Sequence, residues 1–245
     1  MRLRDALTDA ERKWLDATFL PYQRAWILDD ATVAVAVKAR QIGFTDATLA
    51  RAVLLARRGR TQVFLTCNEP MARSAIESAS ALTKFLHRFD GNGFVTAGDG
   101  ELRWLDGGRL IAMEANPRTA RSFSGDLYLD EMDYMLDQQG IVDAAFPIAS
   151  RGDFTIRLCS TPKLDQRRAA EAHLPSDKKT VPPSVFRQYV LRAGGMAWPL
   201  HRVTLDDARS HGLALDIEKC RLLVGGDERL WRNAYEGSFE DGEKP

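Results

Sequence analysis

The sequence predicts an α/β fold with a mostly parallel central sheet, on three observations. Apolar runs at 32–38, 61–67 and 154–159 have the length and β-branched content of strands, and helical patterns lie between the first of them. Strand, loop, helix, strand, helix is the order of a parallel sheet joined by right-handed crossovers. The run Leu127-Tyr128-Leu129 within 125–131 is continuously apolar and not alternating, as in a strand covered on both faces. It ends in Asp130-Glu131, at the carboxyl end where open α/β sheets place their ligands.

Composition bounds the problem. The chain has 245 residues, 44% hydrophobic, enough for one sizeable core or a core with a small appendage. Lys plus Arg and Asp plus Glu both total 34, so contact with nucleic acid must come from a local patch and not from net charge. No apolar run approaches membrane-span length, and the first residues, Met1-Arg2-Leu3-Arg4-Asp5, lead into a polar helix pattern and not a signal segment. Cys67, Cys159 and Cys220 form no Cys-x-x-Cys pair and read as reduced core residues of a cytoplasmic protein. The histidines, His87, His173, His201 and His211, lack metal-ligand spacing and read as structural or surface residues.

Taken in order, 7–17 is a helix with Thr8 and Glu11 spaced as a capping box. Pro21 can open a second helix at its first turn, carrying Tyr22 and Gln23 just ahead of the first strand. An aromatic ring can stack on a base and a Gln amide can match an adenine edge; the plainer reading is a helix packed by Tyr22 and Trp26. Thr61–Cys67 is the second strand, and Glu69-Pro70 starts a long helix to about Arg88 whose Ala and Ser content suits close packing. Residues 101–115 read as a hairpin turning at Asp106-Gly107-Gly108. A helix follows from about Gly140 to Ser150, then the strand Phe154–Cys159 running into Ser160-Thr161-Pro162. The stretch 163–183, with Arg167, Arg168, Lys178 and Lys179, reads as a basic surface loop or small lid able to touch a polyanion. Helical pieces near 205–210, 216–224 and 227–236 close the chain.

Three places carry candidate chemistry. Between the first strand and the helix from Thr45 lies Lys38-Ala39-Arg40-Gln41-Ile42-Gly43-Phe44-Thr45, a strand-turn-helix stretch with the geometry of a phosphate-binding loop. It departs from G-x-x-x-x-G-K-[ST]: Gly43 and Thr45 fit, but Lys38 replaces the first glycine and Phe44 the lysine. Lys38 and Arg40 are then the available positive charges, and Thr45 keeps a hydroxyl for Mg²⁺. At Asp130-Glu131, one carboxylate suits a Mg²⁺ and the other can orient and deprotonate a water. At 160–161, small hydroxyls at a strand end can sense a phosphate or metal. Arg118 and Arg121 stand in the polar loop before the acidic strand, positioned either as solvated residues or as a phosphoryl-stabilising arginine offered to a neighbouring subunit.

The ordered set resembles the ATPase domain of phage large terminases over roughly 19–241. Lys38–Thr45 is similar to that family's deviant phosphate loop, in which the lysine moves to the first position, and Pro21-Tyr22-Gln23 is similar to its adenine motif. Asn116-Pro117 with Thr119–Asp126 resembles its approach to the acidic strand, although Ser122 stands where a glycine commonly follows the arginine. Ser160-Thr161-Pro162 resembles its coupling motif, and Leu230–Phe239 the segment that closes the domain.

The resemblance implies a P-loop NTPase of the ASCE type: a three-layer fold with a core over 1–162, and lid-like helices within 163–245. It implies ATP and Mg²⁺ as cofactors. Tyr22 and Gln23 would meet adenine, residues 38–45 the phosphates, Thr45 and Asp130 the metal, and Glu131 the attacking water. Arg121, or Arg118, would act across a subunit interface, and Ser160 and Thr161 would couple nucleotide state to movement. The implied partners are double-stranded DNA, portal protein and small terminase subunit. The implied setting is a homo-oligomeric ring in the host cytoplasm, transiently docked on the procapsid, with a monomer open to the isolated chain. The carboxylate cluster of the family's nuclease domain has no counterpart here, so DNA cleavage is not expected, the chain being either an excised domain or a naturally short protein. Two other readings stay open: a superfamily-2 helicase-like ATPase, which expects a second RecA-like domain, and a nucleotide-binding scaffold whose loop has decayed at Phe44.

Overall fold

A computed structural model describes residues 2–91, 95–98, 100–164, 184–195 and 198–239. The elements in chain order are α1 (Leu3–Ala6), α2 (Asp9–Thr18), α3 (Pro21–Ile27), β1 (Val33–Lys38), α4 (Phe44–Ala56), β2 (Thr61–Thr66) and α5 (Glu69–Asp90). Next come β3 (Val95–Gly98), β4 (Glu101–Arg103), β5 (Arg109–Glu114), β6 (Asp126–Asp130), α6 (Gln138–Ala145) and β7 (Ile156–Ser160). Last are α7 (Val185–Gly195), β8 (Leu200–Val203), α8 (Leu205–Ser210), α9 (Ile217–Leu223) and α10 (Glu228–Glu236). The basic stretch 165–183 lies outside the described residues.

The strands form one sheet in the order β3-β4-β5-β2-β6-β7-β1-β8. From β5 to β8 every pairing is parallel; β4 alone runs against its neighbours, completing the expected hairpin with β5 and pairing with β3. The strand that ends in Ser160 is inserted between the one that feeds the phosphate loop and the one that ends in Asp130.

Alternation along each strand builds two cores. In β1, Ala34 and Ala36 face the layer that holds α2 to α5 and α10, while Val35 and Val37 face α6 and α7. In β6, Tyr128 faces the first layer and Leu127 and Leu129 the second. Small residues on the first side let α4 approach closely, and α4 is buried from Ala47 through Ala56. The Ala stripe of α5, Ala72, Ala75 and Ala79, continued by Thr83 and Leu86, packs behind it as the composition suggests.

Local signals hold where the chemistry is local. Thr8 and Glu11 form the capping box of α2, and Pro21 occupies the first turn of α3. The helix expected over 140–150 starts earlier, at Gln138, where Asp137 caps it through Gly140 N–H (3.0 Å). It tightens into a 3₁₀ turn at Phe146–Ala149, because Pro147 has no N–H to continue an α-helix. Neither α7 nor β8 is among the expected elements. β8 brings the C-terminal part of the chain into the sheet itself, beside β1, so this part supplies a strand as well as helices.

At the amino end of β6, Asp126 is fully buried and fully paired. Arg60 donates to both its oxygens (2.8 Å each), Gln62 donates at 3.0 Å, and Thr155 donates its N–H (2.8 Å) and hydroxyl (3.0 Å). This knot fixes the height of β6 relative to β2 and β7, and so the height at which Asp130 emerges. Removing one partner of a buried charge pair is costly, because the other is left unpaired. We predict that Asp126→Ala lowers the unfolding free energy by about 3–5 kcal/mol in denaturant titrations.

Candidate phosphate-loop and carboxylate site

The site lies at the carboxyl ends of β1, β7 and β6. Lys38 closes β1, and its Nζ donates to Glu131 Oε1 (2.5 Å) and to Thr161 Oγ1 (3.3 Å). Its exposure is only 5%. Burial draws the ammonium down, but the Glu131 and Asp130 charges outweigh it, and the pKa stands above the ordinary lysine value. Phe44, where the usual motif has its lysine, is buried against Trp26 with ring centroids 5.2 Å apart. The charge has moved to the loop's first residue, and the vacated position has become core.

The loop between Lys38 and α4 is held from both sides. Ala39 N–H donates to Val203 O and Arg40 N–H to Ala234 O, both at 2.8 Å. The exposed Arg40 guanidinium donates to Tyr134 Oη at 2.8 Å. Gln41 (φ 59°) and Gly43 (φ 69°) are left-handed, and Gly43 caps α4. Tyr22 Oη donates to Ile42 O (2.5 Å), and Gln23 Nε2 to Ile42 O (3.0 Å) and Gly43 O (3.1 Å). A trans peptide directs its C=O and N–H oppositely, so the N–H groups of Gly43 and Phe44 face away from Gln23.

Tyr22 and Gln23 therefore reach the loop, but in this structure they are not presented to a base. Both are buried, Gln23 Oε1 accepts Leu20 N–H (2.8 Å), and the Tyr22 ring stacks on His211. Burial pushes the Tyr22 phenol up to about 12. Their donors are spent on the inward-pointing carbonyls of Ile42 and Gly43, which hold the loop in shape.

On the carboxylate side, Asp130 is buried and both oxygens are engaged: Thr45 Oγ1 donates to Oδ2 and Cys159 Sγ to Oδ1, each at 2.9 Å. Burial and then the Glu131 charge raise the Asp130 pKa, against Lys38, Cys159 and Thr45. Burial keeps Cys159 a thiol, well above its usual range. Glu131 follows the strand in the left-handed region (φ 55°). Gln41 and Glu131 are the non-glycine residues with positive φ among the described residues, and both belong to this site. Such conformations cost about 1–3 kcal/mol and collect at functional sites. Glu131 Oε2 accepts from Ser160 Oγ and from Thr161 N–H, both at 3.3 Å.

The arrangement thus brings together Lys38, Thr45, Asp130, Glu131, Ser160 and Thr161. Arg118 and Arg121 stand apart from it, exposed on the loop before β6. Cys159, Tyr134 and Asn233, whose amide donates to Pro162 O, escape sequence reasoning. Only the pairing of Asp130 with Cys159 across β6 and β7 reveals the first. Among the described residues no group of three or more His, Cys, Asp or Glu could hold a metal by itself, and no helix is long and apolar enough to cross a membrane.

The fold is that of an ASCE-type P-loop domain, with a buried lysine, Lys38, at the head of the loop before α4. Residues 35–244 match the family described as "Terminase large subunit, T4likevirus-type, N-terminal", and the chain belongs to that family. It is 28% identical over 250 residues to the probable terminase large subunit gp28 of Escherichia phage Mu, covering 93% of this chain and 40% of that protein. It is 24% identical to the Mu-like prophage FluMu protein gp28 of Haemophilus influenzae, covering 93% of this chain and 43% of that protein. The chain thus spans about two-fifths of the length of these relatives. In structure it is similar to a point mutant of the large terminase ATPase domain of Thermus phage P74-26, with TM-score 0.68 and 17% identity over 95% of this chain and 99% of that one. The large terminase of a thermophilic bacteriophage, solved in complex with ADP, gives TM-score 0.61 at 13% identity over 94% of this chain and 53% of that one.

The buttress under the loop is testable by itself. Gln23→Ala removes donors from the Ile42 and Gly43 carbonyls and should cost about 1–3 kcal/mol of stability. Amide exchange of residues 41–45 should quicken by more than that of the sheet, whereas an unchanged exchange pattern would show that Gln23 does not hold the loop.

Proposed function

We propose that this chain is the ATP-hydrolysing motor domain of a phage large terminase, driving translocation of double-stranded DNA into a capsid. The observation that carries the reading is the meeting of Lys38, Thr45, Asp130 and Glu131 at adjoining strand ends, with Glu131 in a left-handed conformation. Family membership and the likeness to terminase folds support it.

In the proposed mechanism the inward carbonyls of Ile42 and Gly43 leave loop N–H groups, at the start of α4, to receive phosphate oxygens. Lys38 and Arg40 add positive charge. The oxygen donors of Thr45 and Asp130 suit Mg²⁺, which takes few protein ligands and completes its shell with phosphate oxygens and water. A bound Mg²⁺ would supply charge neutralisation between the outer phosphates. Lys38 Nζ donates to Glu131 Oε1 in this structure. A γ-phosphate competes for that lysine and frees Glu131 to orient and deprotonate the attacking water.

Exposed Arg121, or Arg118, is placed to serve a neighbouring copy in a ring. Ser160 and Thr161 touch Glu131 and carry its state outward. Tyr22 and Gln23, which support the loop in this structure, would meet adenine only by rearranging. Portal protein and small terminase subunit are the proposed partners, and the host cytoplasm, with transient docking on the procapsid, the proposed setting. The buried lysine at the site argues against a decayed loop, since Phe44 is compensated.

The test is steady-state ATP hydrolysis with Mg²⁺, with and without double-stranded DNA, over a wide range of protein concentration. Glu131→Gln should bind ATP but lose at least about 100-fold in turnover, the usual worth of a general base; substantial hydrolysis by that variant would sink the assignment. For the parent, turnover per chain should rise with concentration as neighbours complete the site. In Arg121→Ala that rise should vanish while nucleotide affinity stays the same; if it persists, Arg118→Ala is the variant that must abolish it.

A further inference from the structure

The carbonyl of Pro162, next to the Ser160-Thr161 pair that contacts Glu131, is not free. Asn233 Nδ2 in α10 donates to it at 2.9 Å and to Ser238 O at 3.1 Å. Both partners are acceptors only, so the NH₂ group must face them. Asn233 is 3% exposed, although the neighbouring positions Arg232 and Glu236 of α10 point to solvent. The next residue, Ala234, accepts Arg40 N–H from the phosphate loop at 2.8 Å. Adjacent residues of one helix thus grip both margins of the site: the loop that would hold phosphate and the strand end that contacts the base. Close fit restrains this end of the helix, since a Cβ on Gly237 (φ 68°) would come within 2.9 Å of Val37 Cγ1.

We propose that Asn233 is a positioning residue for hydrolysis, acting through Pro162 and the Ser160-Thr161 pair on Glu131, and that through this bond α10 follows the state of the site. The inference rests on the ATPase reading above and adds a specific residue to it. The argument is geometric. Thr161 N–H donates to Glu131 Oε2 at 3.3 Å; Ser160 Oγ lies 3.3 Å from the same oxygen, its shorter bond going to Thr161 O (2.8 Å), and the height of both groups above the sheet depends on where the chain goes after β7. Pro162 has no N–H, so it cannot hold that exit by donating; two bonds hold it instead, Lys163 N–H on Asp133 Oδ2 (2.7 Å) and Asn233 on the Pro162 carbonyl (2.9 Å), and only the second comes from α10. When Glu131 exchanges Lys38 for a water, its contacts at 160–161 must adjust, and Asn233 carries the adjustment into α10. Asn233 has no bond to the phosphate loop and reaches Lys38 only through the long Thr161 Oγ1 contact (3.3 Å), so its loss should impair chemistry more than binding.

The experiment compares the parent chain with Asn233→Ala and Asn233→Ser, the second retaining one donor. Each is read by kcat and KM, by direct binding of a non-hydrolysable ATP analogue with Mg²⁺, and by amide exchange over 228–237 with and without that analogue. In Asn233→Ala, kcat should fall about 10- to 100-fold, the scale of a small misplacement at a reacting centre, with analogue affinity within about twofold. Asn233→Ser should recover part of kcat. The parent's α10 amides should change protection when the analogue binds, and the alanine variant's should not. If Asn233→Ala does not melt cooperatively, the serine variant carries the same comparison. A parent that binds no nucleotide overturns the ATPase reading and this proposal with it. A parent that binds and turns over, beside variants whose kcat stays within twofold or whose kcat and affinity fall together, overturns the role of Asn233 alone.

Discussion

The site depends on one constraint of spacing: β7 stands between β1 and β6. Neighbouring strands in a sheet lie about 4.8 Å apart, so residues at the ends of β1 and β6 are separated by roughly 10 Å across the intervening strand. Lys38 and Glu131 nevertheless meet at 2.5 Å. Two features make this possible. Lysine has a four-carbon stem, and Glu131 turns back over the end of β7 because its backbone is left-handed. Thr161, at the exit of the strand they cross, contacts both. A shorter residue at 38, or an extended conformation at 131, would leave the two sides unconnected. The position of the lysine and the strain at the glutamate are therefore two halves of one solution.

Charge follows from the same geometry. Asp130 and Glu131 are consecutive, and both lie within reach of one buried ammonium. Water is largely excluded from Asp130, so its charge must be met by neighbours, and it finds only a hydroxyl, a thiol and a share of Lys38. Burying charge without full compensation is unfavourable. The adjoining loop adds N–H groups at a helix start, which favour anions.

Much of the fold was legible because its signals are local. The caps of α2 and α3, the buried run of β6, the hairpin and the strand-turn-helix at 38–45 each follow from residues close in sequence. Lys38 and Arg40 stood out as the charges of the 38–45 stretch because Phe44 occupies the usual lysine position, and Lys38 is the one that the fold buries beside Glu131. What the sequence hid was nonlocal. β8 is a short strand, Leu-His-Arg-Val, whose only reason to be extended is the edge of β1. Tyr22 and Gln23 were recognisable as important, but their polar atoms turn toward carbonyls about 20 residues away, which no spacing rule announces. Cys159 gains its meaning from lying opposite Asp130 across the sheet, and Asn233 from a carbonyl 71 positions earlier.

These hidden contacts share a purpose, which is to stabilise an unfavourable backbone. Left-handed Gln41 and Glu131 would each relax if their flanks were loose, since the conformation costs about 1–3 kcal/mol. Neither flank is loose. Before Gln41, Arg40 N–H is held by Ala234, and after it the Ile42 carbonyl is held by Tyr22 and Gln23. Before Glu131, Asp130 is pinned on both oxygens; after it, a 3₁₀ turn over Met132–Tyr134 is tied to β7 by Asp133 N–H on Ser160 Oγ at 3.2 Å. The supports come from α3, α4, β7 and α10, elements from nearly the whole length of the chain. A site held this way is organised before any ligand arrives, so binding need not supply the cost of ordering it. The same supports make each strained residue sensitive to movement in a distant element. A fold that stabilises its site from several sides therefore also has the means to pass changes at that site outward.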